Sequence, residues 1–149
     1  SMERERLGNV LARVSFSLIR AAHAKGFWWS LENPGTSLIW AVKQVASLLR
    51  LPGVHIVKLC QCEYGLRFPD PNPYHFCKTN IWICTNALLQ FVDRKCSGNH
   101  SHIHTLGMFK TSTGWKRRSQ FAGQYPLRLC HDWAAGAHVA AAARDEQSR

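Results

Sequence analysis

Acidic residues are scarce in this chain of 149 residues, with nine Asp and Glu against nineteen Lys and Arg, for a formal charge of +10. Such an excess favours a polyanionic partner such as nucleic acid, because each neutralised phosphate releases counterions, although solubility alone also accounts for basic charge. Long apolar runs are missing too. None approaches the ~20 residues of a membrane span, so no membrane association is expected. No cleavable signal opens the sequence, and an intracellular location, nuclear or cytoplasmic, is expected. Also missing are a Ser-His-Asp order, a Walker loop, a dinucleotide fingerprint and paired catalytic carboxylates, which leaves the common hydrolase, nucleotidase and dehydrogenase signatures without a foothold. What is present is core material. Hydrophobic residues make up 46% of the chain and six tryptophans are among them. That is too apolar for a disordered basic tail and suits about one packed domain.

The charge is concentrated in the middle and later chain. Between Asn33 and His131 the acids are only Glu63, Asp70 and Asp93. The six cysteines, Cys60, Cys62, Cys77, Cys84, Cys96 and Cys130, could make three disulfides in principle. In a chain well above mini-protein size and without a signal peptide, reduced thiols or metal ligation are expected instead.

From Glu3 to Ala24, Leu7, Val10, Leu11, Val14, Leu18 and Ala22 recur at three- and four-residue steps, with Arg6, Arg13 and Arg20 on another face. This spacing predicts an amphipathic helix that stops near Gly26. Phe27 to Leu31 reads as a buried strand whose end meets the turn Glu32-Asn33-Pro34-Gly35. Thr36 or Ser37 can cap a second helix through Leu49. Strands are expected over Val54 to Cys62 and Lys78 to Thr85, separated by a Pro-rich loop from Phe68 to Tyr74. Asn86 can cap a short helix through Val92. Cys96 to Gln124 has little periodicity and reads as a long irregular segment carrying Cys, His and basic residues. A last helix is expected from Tyr125-Pro126 to Ala143, with 144–149 frayed.

Glu32 and Asn33 follow a strand, and ligands of open α/β sheets bind beyond the carboxyl ends of strands. Pro34 keeps Asn33 extended, so both polar side chains are held at the tip, where a carboxyl group could accept from an exocyclic amine such as cytosine N4. A plain solvated turn is the bland alternative. The ordered set of a helix, then Trp28-Trp29-Ser30-Leu31-Glu32-Asn33-Pro34, Leu38-Ile39-Trp40, Cys62-Glu63-Tyr64-Gly65, Lys78-Thr79, Thr85-Asn86 and Cys96-Ser97-Gly98-Asn99-His100-Ser101-His102 resembles the cytosine-5 DNA methyltransferase-like proteins of phages and mobile-element reading frames. The resemblance spans roughly Asn9 to Gly107, with a weaker echo at Tyr125-Pro126 and Cys130.

It implies the later part of a Rossmann-like methyltransferase α/β fold, a partial sheet of about three strands flanked by helices. In it Glu32 would contact a flipped cytosine and Asn33 would shape the turn. The chain departs from that family in having no Gly-rich first strand turn and no Pro-Cys dipeptide. S-adenosylmethionine would therefore need a site supplied by a missing half or a partner chain, and catalysis by this chain alone is not expected. A strand Phe27 to Leu31 without its neighbour would expose an edge and the indoles of Trp28 and Trp29, so self-association or a partner chain covering that edge is expected.

Two further constellations stand out. Cys96, His100, His102 and His104 fall within nine residues, and thiolate and imidazole are ligands zinc prefers. Cys62 is the expected additional ligand, with Cys60 or Cys130 as substitutes. The spacing is not that of a standard finger, and a buried cysteine beside a polar histidine loop is the alternative. Trp115-Lys116-Arg117-Arg118, with Lys110 before it, can grip a phosphate backbone and stack on a base. Lys78 and Arg94 place further charge at the sheet end. The remaining histidines, His23, His55, His75, His131 and His138, read as isolated surface or core residues. Two readings follow: a nucleic-acid-binding, methyltransferase-like domain or fragment without independent catalysis, or a zinc-stabilised binding module for nucleic acid or protein.

Overall fold

The computed structural model describes residues 2–68, 74–85, 88 and 91–147. The chain runs α1 (Met2–Ala24), β1 (Ser30–Pro34), a 3-10 turn (Leu38–Ala41), α2 (Lys43–Leu48), β2 (Val54–Cys60), a second 3-10 turn (Gln61–Tyr64), β3 (His75–Cys77), β4 (Thr79–Thr85), β5 (His102–His104), β6 (Met108–Thr111), β7 (Gly114–Arg117), α3 (Arg118–Ala122) and α4 (Leu127–Gln147). The main sheet has the order β1-β4-β2, and β4 is antiparallel to both neighbours. The protein is thus a mixed α/β structure around a small sheet of three strands.

The sheet is covered on both faces because β4 is apolar on both. Trp82 and Cys84 point to one side, where they pack with Val57, Leu59, Val92 and the α4 residues Leu129 and Ala140. Ile83 points to the other, into a cluster formed by Phe16 and Ile19 of α1, Trp29, and Val45 and Leu48 of α2. A near-continuous apolar run is what a strand buried on both faces requires. Gly136 of α4 lies against Phe91, whose ring carbon would stand 3.0 Å from an added Cβ, so this helix can approach only where a side chain is missing.

Several expectations need correction. β1 begins three residues later than the aromatic run suggested and includes Glu32, Asn33 and Pro34, paired with Trp82, Ile81 and Asn80. Proline is tolerated because β1 is an edge strand, with no partner on its other side among the described residues. The indole of Trp29 is not exposed at that edge; it is buried and donates from Nε1 to Nδ1 of His23 at 3.2 Å. The second helix is broken at Val42, whose extended backbone separates a 3-10 turn capped by the Ser37 hydroxyl from α2. Cys96 to Gln124 is not irregular throughout. It carries β5, β6, β7 and α3, strands of only three or four residues whose alternation is too short to register as a period. α4 continues to Gln147 instead of fraying after Ala143. Leu88, Phe91 and Val92 are helical as expected, while Asn86, Ala87, Leu89 and Gln90, and residues 69–73 of the Pro-rich loop, lie outside the described residues.

The largest correction concerns α1. Leu7, Val10, Leu11, Val14 and Leu18, the stripe an amphipathic helix would turn inward, all face solvent, and Phe16 and Ile19 are buried instead. The helix has two apolar faces, and the one of Ala12, Phe16, Ile19 and Ala22 meets Trp29 and the sheet. Phe16→Ala should therefore lower the unfolding free energy by ~3–5 kcal/mol, whereas Leu18→Ala should change it by less than ~0.5 kcal/mol. Urea denaturation of the two variants checks the assignment, and equal losses would contradict it.

Candidate metal centre and basic hairpin

The 3-10 turn after β2 ends at Gly65, whose left-handed backbone (φ 84°) reverses the chain and leaves the buried Cys62 thiol facing the 96–102 loop. There the ligand atoms of Cys62, Cys96, His100 and His102 all lie within 4.8 Å of one another. Cys96 Sγ is 3.7 Å from Nε2 of His100 and 3.5 Å from Nε2 of His102. Two thiols and two imidazoles converging this closely could hold one metal ion, and the set is one that zinc takes. Burial pushes the Cys62 thiol up to about 12, with the neighbouring Cys96 and Cys60 sulfurs adding to the shift. A bound cation would reverse that preference by stabilising the thiolate.

The surroundings fit a metal as well as the ligands do. Glu63 accepts from the backbone N–H of Ser97 at 2.6 Å and from its hydroxyl at 2.8 Å, and these bonds hold its carboxyl below the ordinary range. The same oxygen stands 4.0 Å from Nδ1 of His100, leaving Nε2 directed at the thiols. A carboxylate that closed this gap to a hydrogen bond would orient a ligating imidazole and raise its basicity. Gly98 (φ 75°) turns the loop so that its N–H donates to Cys96 Sγ at 3.4 Å. β5 ties His102 beside His75 by parallel pairing with β3, and the His75 ring lies 4.2 Å from that of His100. Burial, then the neighbouring His100 and Arg67, depress protonation of His75, so a neutral ring backs the cluster.

Of the residues expected to ligate, Cys62, Cys96, His100 and His102 come together. His104 does not belong to the group, and Cys130 is exposed on α4. Cys60 lies close by, with its sulfur 3.7 Å from the Thr79 hydroxyl. All six cysteines are free thiols. Sequence reasoning missed Glu63 and His75. The first sits directly beside Cys62, but its relation to Ser97 depends on a contact 34 residues away.

At the other side of the sheet end, Glu32 is fully engaged. Asn80 donates to one carboxylate oxygen and the Tyr125 hydroxyl to the other, and Asn80 in turn accepts from Gln61 at 3.0 Å. Gln61 and Asn80 are both buried, so this is a polar chain threaded from β1 through β4 to the turn that carries Cys62. Burial and the bond to Glu32 raise the Tyr125 phenol above its usual range. Asn33, by contrast, borders a groove between α1 and the first 3-10 turn. The family-type role expected of Glu32 would require Tyr125 to withdraw.

The basic residues divide into two sets. Lys78 is half-buried and donates to the Ala122 carbonyl at 2.7 Å, with burial lowering its pKa against the opposing pull of Glu32. Arg94 pairs with Asp132 of α4 at 3.0 Å and lies over the Tyr64 ring. Arg118 reaches the Leu106 carbonyl at 3.4 Å. Lys110, Trp115, Lys116 and Arg117, however, are exposed on the β6–β7 hairpin.

No protein-family model, no curated protein and no solved structure matches the chain.

Zinc added to metal-free protein should bind at about one ion per chain and raise the melting temperature, since ligand energy at such a site is folding energy. Cys96→Ser should abolish both effects. Affinity should rise with pH between about 6 and 8, because metal competes with protons for thiols and the Cys62 thiol holds its proton tightly. A melting curve indifferent to both zinc and chelator would rule the site out.

Proposed function

We propose that this chain is a zinc-stabilised α/β module that binds nucleic acid through the β6–β7 hairpin and does not transfer methyl groups by itself. The observation that carries the reading is the sorting of its cations. Lys78, Arg94 and Arg118 are engaged within the fold, whereas Lys110 and Arg117 stand exposed on the same hairpin face as Trp115, with Lys116 exposed on the other face. No Asp or Glu occurs from Arg94 to His131, so nothing nearby in sequence offsets that charge. Zinc suits the donor set because thiolate and imidazole are softer than the oxygen ligands that calcium and magnesium require. The 96–102 loop it would clasp leads through β5 directly into the hairpin, so the metal would hold the binding element on the sheet.

A methyltransferase-like origin has its own support. β1 and β2 are each antiparallel to β4 and hence parallel to one another, joined by a helical connection through α2. β2 ends at the Gln61–Tyr64 turn and Glu32 lies at the middle of β1, two residues before its end at Pro34; a cleft of about 330 Å³ bordered by Pro34, Thr36, Lys78 and Thr79 opens at the carboxyl ends. That is the side on which open α/β sheets bind ligands. In this reading the free edge of β1 would continue into the rest of a Rossmann-like sheet, supplied by a missing half or a partner chain that also brings S-adenosylmethionine. Glu32, released from Tyr125, would then face the base.

Nucleic-acid affinity should fall steeply with salt, and Lys110→Ala and Arg117→Ala should each reduce the log–log slope by about one. A flat salt response across filter-binding measurements would count against the hairpin as a phosphate-binding surface. Methyl transfer from S-adenosylmethionine by this chain alone would overturn the claim of incompetence.

A further inference from the structure

The hairpin is built to meet an unpaired base. Residues directly opposite one another in an antiparallel pair share a face, so Met108 with Arg117 and Lys110 with Trp115 form one surface, and Phe109 with Lys116 the other. Phe109 anchors the ribbon: its ring lies 4.5 Å from that of Phe68 and 4.9 Å from that of Phe121. The first surface consequently points outward, with the Trp115 side chain 67% exposed. Its indole has the Lys110 stem directly across, at about 5 Å between Cβ atoms, and Arg117 two residues along the strand, at about 7 Å. An aromatic plane with a cation on either side offers a base somewhere to stack and its two flanking phosphates somewhere to pair.

Resting on the nucleic-acid reading, we propose that the hairpin face of Trp115, Lys110 and Arg117 is a stacking platform for single-stranded nucleic acid. A duplex fits this surface poorly. Its base faces are already covered by their neighbours in the stack, and an exposed indole can meet them only at an end or a flipped base. A two-stranded ribbon can otherwise read a duplex by entering the major groove, which is about 8.5 Å deep. In this ribbon Phe109 packs the other surface against Phe68 and Phe121, so only the face of Trp115 is free to meet a duplex. Each strand is moreover only four residues, roughly 13 Å long. Stacking reads neither sugar nor sequence, so thymidine and uridine oligomers should bind alike.

The test uses the zinc-loaded chain and fluorescein-labelled oligothymidine of about 12 nucleotides, within the span single-strand binders cover, beside its duplex with oligoadenine. Fluorescence anisotropy should show the single strand bound at least ~10-fold more tightly at equal salt, and Trp115→Ala should remove roughly that factor, leaving duplex affinity unchanged within ~2-fold. Trp115→Phe should restore most of the loss, and the unfolding curves of both variants should overlay the parent's, since the side chain is exposed. Equal or tighter duplex binding, or an unchanged preference in Trp115→Ala, overturns the platform while leaving nucleic-acid binding in place. Absence of binding to either form overturns both.

Discussion

Everything in this protein is arranged around the double burial of β4. A strand flanked by antiparallel neighbours and covered above by α4 and below by α1 and α2 pairs its backbone on both sides and buries most of its side chains. Among its polar residues, the buried Asn80 sits near its start and is bonded on both sides, to Glu32 of β1 and to Gln61 of the turn after β2. That one amide joins the three strands at the end where the chemistry-bearing residues collect. A buried group of this kind is worth more for specifying register than for adding stability, because any slip would leave it unpaired at a cost of about 1–3 kcal/mol.

From that end the rest follows by short connections. Gln61 opens the turn that presents Cys62; Glu63, the next residue, clasps Ser97; and Ser97 belongs to the loop that supplies Cys96, His100 and His102. A third cluster of Leu66, Phe76 and Ala122, with Phe68, Ile103 and Phe121 packed against it, is smaller than either cluster covering the main sheet. A metal ion linking Cys62 to the loop would supply what that cluster lacks, much as metals stand in for cores in small domains. The hairpin would then be held by two devices of different kinds, the ligand cluster on its N-terminal side and the packing of Phe109 against Phe68 and Phe121 on its own inner face.

How much of this was legible beforehand varied with the physics involved. The strands of the main sheet and the long terminal helices could be read from periodicity and turn residues, since those signals are local. Cys62, Cys96, His100 and His102 could be assembled as candidates because thiols and imidazoles are rare and their chemistry is narrow. The inward face of α1 could not be read, since the helix carries a Leu/Val stripe and a second stripe of Ala12, Phe16 and Ile19, and only the location of Trp29 decides which is covered. Likewise Lys78 and Arg94 carry the same charge as Lys110 and Arg117, and nothing local to them tells that Ala122 and Asp132 stand within reach.

The sequence by itself determined the long terminal helices, the reservoir of metal ligands, the net positive charge and the presence of an aromatic among basic residues, because each is a property of composition or near-neighbour spacing. Tertiary structure alone decided which cations remain free, that Glu32 is held by Asn80 and Tyr125, that Glu63 stands behind His100, and that Trp115 faces outward. All of these depend on residues from 34 to 93 positions apart meeting across β4 or, for the hairpin, on which of two strand faces finds an apolar partner. Such meetings are set by the packing of whole elements, and no window of sequence contains them.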